Sequence, residues 1–129
     1  MKIVIRTKNF AVDTDIREYI EKKFASLEKF VQSCHTSDQW EKIKPSCELF
    51  IDIERTTKHH QKGLVFRALS EIRLPRKKMA TEVFARGVIG AINELKEETV
   101  NEIKKYKEKS TEINRKTLRE LKEKSRENI

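Results

Sequence analysis

Few side chains in this 129-residue sequence belong to the kinds that perform covalent or metal chemistry. The candidates are Cys34-His35, Cys47 and His59-His60. Zinc needs four ligands in a recognisable spacing, such as two cysteines two residues apart with a second pair downstream. The spacings here are irregular, and Cys47 opens an apolar alternation that reads as a buried strand face. An adjacent Cys–His pair in a loop also lacks an orienting third group and oxyanion donors. With three glycines in the whole chain there is no Gly-rich phosphate loop. These residues read as a buried, inert thiol and solvated loop histidines, with no metal, no cofactor and no catalytic residue. An enzyme is the least favoured function class.

Binding chemistry is better represented. Net charge is +8, which suits an acidic partner. Residues 55–78 contain Arg55, Lys58, Lys62, Arg67, Arg73, Arg76, Lys77 and Lys78 against Glu71 alone, eight positive and one negative, or +7 of the total. A local excess of this kind marks a surface, where a solubility device would be spread evenly. Lys58, Lys62, Arg76, Lys77 and Lys78 fall in two loop stretches and can point at phosphate. Arg67 and Arg73 fall on a strand, where cross-strand ion pairs are favoured over RNA contacts. If Arg55 pairs with Leu64, Asp52 faces Arg67 and Glu48 lies diagonal to Arg73. The two loops sit at opposite ends of one strand, so a continuous patch needs a helix face, which Lys22, Lys23, Lys29, Lys96, Lys104 and Lys105 can supply.

The elements that position these charges follow from periodicity. Ile3, Val4 and Ile5 make Lys2–Lys8 a strand. Asp13 offers a helix cap, and Ile16, Tyr19, Ile20, Phe24, Leu27, Phe30 and Val31 recur at helical spacing, predicting one amphipathic helix over 14–31. Residues 32–45 are polar and end in Pro45, which reads as a loop with Trp40 as a lid over the helix end; an interface anchor is its alternative role. Cys47, Leu49, Ile51 and Ile53 alternate with polar neighbours and Phe50, a half-buried strand. Residues 56–63 read as a long polar hairpin loop, 64–74 as a third strand, Pro75-Arg76-Lys77-Lys78 as a tight basic turn, and 79–84 as a short fourth strand. A second helix runs from about Gly87 to Lys109 on Val88, Ile89, Ala91, Ile92, Leu95, Val100, Ile103 and Tyr106. Residues 110–129 form a charged tail, helical or disordered. The expected fold is α+β in the order β-α-β-β-β-α, two helices on one face of a four-stranded sheet with the other face wet. No apolar run approaches the ~20 residues of a membrane span. Without an export signal the expected compartment is the cytoplasm, where both cysteines stay reduced.

With these residues in this order, the chain resembles the ribosome hibernation-promoting factors, also called ribosome-associated inhibitor or sigma-54 modulation proteins. Ile3-Val4-Ile5 leading to residues 12–20 is similar to the family's opening strand and helix. Residues 23–30, Lys-Phe-Ala-Ser-Leu-Glu-Lys-Phe, resemble its K-L-x-x-L-E-K-aromatic run. Ile72-Arg73-Leu74-Pro75 is similar to the end of its third strand. Ala91-Ile92-Asn93-Glu94-Leu95, with residues 104–107 downstream, resembles its second helix. The likeness covers residues 1–109 and is of the short, single-domain type. It implies a ribosome hibernation or stress factor that binds the small ribosomal subunit in the messenger and transfer RNA channel and inhibits translation by occupancy. It implies ribosomal RNA as partner, with no small-molecule substrate and no membrane. It places basic contact residues at Arg17, Lys23, Lys29 and Lys105. The family carries a Lys and an Arg mid-helix where Glu98 and Asn101 stand here, beside Glu97; Lys96 and Lys104 are the neighbouring substitutes. The readings that compete with it are a generic structured-RNA binder and a protein-interaction domain using the exposed sheet face.

Overall fold

The structure, a computed structural model, describes residues 1–56 and 65–127. Four strands, β1 (Lys2–Lys8), β2 (Glu48–Arg55), β3 (Phe66–Leu74) and β4 (Lys77–Ala85), form one sheet in the order β1-β2-β3-β4. β1 and β2 are parallel and the other pairs antiparallel. The β1–β2 crossover is helical: α1 (Thr14–Ala25), α2 (Leu27–Gln32) and α3 (Ser37–Ile43), then a single 3-10 turn at Lys44–Ser46. α4 (Val88–Glu127) follows β4. The α+β class and the order of the main elements are as the sequence predicts.

Asp13 caps α1 by accepting from the Ile16 N–H at 2.8 Å, which satisfies one of the amide donors a helix start leaves open. The helix expected over 14–31 is interrupted at Ser26, whose side chain donates to the Lys23 carbonyl at 3.1 Å. Such back-bonding competes with the helical ladder. The stretch expected to be a loop, 32–45, contains α3. Thr36 and Gln39 close a reciprocal capping box around its first turn, and Trp40 is buried. The tryptophan is thus a lid, and its burial removes it as an interface anchor.

The core lies between the sheet and the helices. Ile20, Phe24, Leu27 and Val31 from α1 and α2 meet Leu49, Ile51, Ile53 and Ile72 of the sheet, with Ile92, Leu95 and Ile103 of α4. The path of α4 is fixed at two points. It starts beside Ala85, which pairs with Phe66. At mid-sheet the Ser70 hydroxyl meets Thr99 at 2.7 Å, and Thr99 donates to the Leu95 carbonyl at 2.6 Å, so Ser70 is the donor of that buried pair. α1 and α2 run alongside in the same direction: Tyr19 donates to Asn93 at 2.6 Å, and Cys34 reaches the Ile103 carbonyl at 3.9 Å.

Candidate nucleic-acid interface

The open sheet face is a grid of side chains. Strand register sets four rows across β1 to β4: Lys2, Glu48, Arg73, Lys78; Val4, Phe50, Glu71, Ala80; Arg6, Asp52, Leu69, Glu82; and Lys8, Glu54, Arg67, Phe84. Arg55 pairs with Phe66, not with Leu64. Glu54, not Asp52, therefore faces Arg67, and Glu48 stands directly opposite Arg73. Arg67 is bound from both sides, by Glu82 at 2.7 Å and Glu54 at 3.7 Å. Arg73 pairs with Glu71 at 3.2 Å and lies 4.0 Å over the Phe50 ring, with Arg6 5.8 Å from the same ring. A cleft of about 410 Å³ opens between Arg6, Lys8, Arg67, Asp52 and Glu54, and within it Glu54 also pairs with Lys8 at 3.9 Å. Cross-strand ion pairing, expected for both arginines, is found for Arg67, whereas Arg73 pairs within its own strand.

A second group of cations stands at the β3–β4 end of the sheet. Pro75 and Arg76 alone form the β3–β4 turn; Lys77 and Lys78, expected in it, are the first residues of β4. Leu74 pairs with Lys77, so the connection is a two-residue hairpin that fixes all three charges on one sheet end. Arg76, Lys77 and Lys78 are exposed. The basic stretch of α4 that holds Lys104 and Lys105 reaches the same end. Lys105 pairs with Glu102 at 3.4 Å on the helix surface, a contact worth little in solvent. Lys29 is exposed on α2, beside Glu28, whose carboxylate holds the Met1 amino group at 3.2 Å at that end.

Lys22, Lys23 and Lys96 sit midway along the helical layer, with Lys23 5.5 Å over the Tyr19 ring. Arg17 is exposed in the first turns of α1, toward the opposite end. The structure thus gathers Lys29, Arg76, Lys77, Lys78, Lys104 and Lys105 at one end and leaves Arg17 apart. Lys58 and Lys62, with His59 and His60, lie outside the described residues.

The thiols are poorly reactive. Burial pushes both up, Cys34 against the opposing pull of Lys107 and a Ser33 hydrogen bond, Cys47 against that of the N-terminus. Among the described residues no group of three or more His, Cys, Asp or Glu side chains could hold a metal ion. Among them, too, no helix is long and apolar enough to cross a membrane.

With this geometry in place, comparison with known proteins is decisive about kinship. A family model described as sigma 54 modulation protein / S30EA ribosomal protein matches residues 3–111. The chain belongs to that family. No curated protein matches this family member in a sequence comparison. Two solved structures share its fold. The crystal structure of the Thermus thermophilus Protein Y N-terminal domain has a TM-score of 0.59 at 20% identity, covering 82% of this chain and 99% of that one. A ribosomal subunit interface protein from Coxiella burnetii has a TM-score of 0.56 at 14% identity, covering 83% of this chain and 98% of that one. At these identities the likeness is one of fold.

Proposed function

We propose that this chain is a ribosome hibernation or stress factor, a non-enzymatic cytoplasmic protein. It docks on ribosomal RNA of the small subunit, in the channel that messenger and transfer RNA use, and inhibits translation by occupying it. Membership of the S30EA family over residues 3–111 carries this reading. The placement of charge supports it: exposed cations from α2, the β3–β4 turn and α4 are concentrated at one sheet end, while Arg67 and Arg73 on the sheet's open face are held in ion pairs. Lys22, Lys23 and Lys96 extend the contact along the helices, with Arg17 at its margin. Residues 1–109 form the ribosome-binding domain, and 110–129 a charged tail that is secondary to binding. Phosphate contacts position a protein without reading sequence, which fits a partner recognised by shape.

The test is co-sedimentation with separated ribosomal subunits, followed by translation assays. The protein should pellet with the small subunit and wash off in salt. Inhibition should track the protein-to-ribosome ratio and reverse on dilution. Irreversible inactivation by a small fraction of one protein per ribosome would instead mark an enzyme.

A further inference from the structure

The two signs of charge are segregated along α4. Residues 88–102 hold Glu94, Glu97, Glu98 and Glu102 against Lys96, four negative and one positive; residues 103–109 hold Lys104, Lys105, Lys107 and Lys109 against Glu108, four positive and one negative. Thr99 stands over Ser70 at mid-sheet. Leu74 is four strand residues further, about 13 Å, which the helix covers in about nine residues. The basic stretch therefore lies over the β3–β4 turn, and the acidic stretch over the other half of the sheet.

The open face is sorted in the same sense. The row at the turn end carries Lys2, Arg73 and Lys78 against Glu48, three cations to one carboxylate. The three rows behind it carry Arg6, Lys8 and Arg67 against Asp52, Glu54, Glu71 and Glu82, three to four. Cations consequently line both faces of a single sheet end. α4 spans 40 residues, about 60 Å, twice the length of a nine-residue strand. The helix overhangs the sheet end and makes a corner with it. Such a corner accepts a convex ridge of phosphates. Of the exposed large apolar side chains among the described residues, Phe84 and Ile89 stand at the opposite end, while Phe30 adjoins Lys29 on α2; Phe30 and Ile89 were expected on the buried faces of their helices.

We propose that the protein grips RNA end-on. A duplex segment of ribosomal RNA lies across the β3–β4 end of the sheet, held by Lys2 and Lys78 on the open face and by Lys104 and Lys109 on the helical face. The acidic stretch of α4, residues 88–102, is turned away from it. This rests on the RNA-docking reading above and assigns the docked side.

Affinity of the full chain for isolated small subunits, measured across a salt series, tests it. Three double substitutions remove the same charge: K2A/K78A, K104A/K109A, and K8A/R86A at the opposite end. All six residues are exposed, and unchanged thermal melting verifies the fold. Each of the first two variants should weaken binding about fivefold or more and flatten the log–log salt slope by about 1 to 2. K8A/R86A should stay within about twofold of the parent, and so should E97Q/E98Q. An unaffected K2A/K78A, or a loss in K8A/R86A as large as at the turn end, overturns the two-sided grip. So does clear tightening in E97Q/E98Q, which would put residues 88–102 of α4 against RNA. If the unmodified chain fails to bind small subunits at all, the RNA-docking reading itself falls.

Discussion

His35 has a ring on either side. Its own ring lies 6.4 Å from Trp40, stacked, and 6.2 Å from Tyr106, tilted. Its Nε2 is buried with no hydrogen-bond partner. Burial lowers its pKa from the usual 6.5, because a charged ring there would lose hydration without gaining an acceptor. The unfolded chain therefore takes up the proton more readily than the folded one, and stability rises with pH. His35 contributes fully above the ordinary histidine range and progressively less as pH falls through it toward the folded value. The urea midpoint should drop between about pH 7.5 and 5.5, and His35→Gln should flatten that slope. An unchanged slope in the variant would assign the pH dependence to other groups. Nothing in the sequence distinguished this histidine from a solvated one. Its partners come from α3 and α4, and only the fold brings them together.

Alternation and helical spacing made the four strands and the two main helices legible, because each element buries one face. Three local features depart from that pattern. The Ser26 break falls inside an unbroken apolar stripe, so periodicity passes over it. α3 had a signal in Thr36 and Gln39, three residues apart before Trp40, but the polar composition of 32–45 obscured it. The β2–β3 register differs by two residues from the expected pairing, and a shift of two returns every side chain to the same face, so alternation cannot detect it. What distinguishes the observed register is Arg67 between Glu54 and Glu82. The contact between α4 and the sheet has its own lock in Ser70 and Thr99, buried among apolar neighbours. Thr99→Val leaves the Ser70 hydroxyl buried without its acceptor, which should cost about 1–3 kcal/mol in urea unfolding. Ser70→Ala/Thr99→Val removes both hydroxyls together and should cost less than the two single losses summed. Strict additivity would show that the pair does not act as a unit.

At the scale of the molecule, charge excess was legible as a run between residues 55 and 78, but its shape was not. Its described members divide between Arg55 at one end of the sheet, Arg76, Lys77 and Lys78 at the other, and Arg67 and Arg73 on the open face, and Lys104 and Lys105 join the turn only because α4 returns along the sheet. Binding strength should therefore depend on charges held in place. Arg76, Lys77 and Lys78 are fixed by a two-residue hairpin after Pro75, so little freedom remains to be lost on contact. Residues 110–129 carry Arg115, Lys116, Arg119, Lys122, Lys124 and Arg126 against Glu112, Glu120, Glu123 and Glu127, six positive and four negative. Their opposing charges largely cancel toward a polyanion. R76A/K77A/K78A should weaken binding to small subunits clearly and, with all three residues exposed, leave the melting curve unchanged. It should also lower the log–log salt slope by about 2 to 3, the loss of three phosphate contacts. Truncation after Lys109 should change affinity little. A truncation that costs more than the triple substitution would make the C-terminal segment the principal RNA contact and remove the folded sheet end from that role.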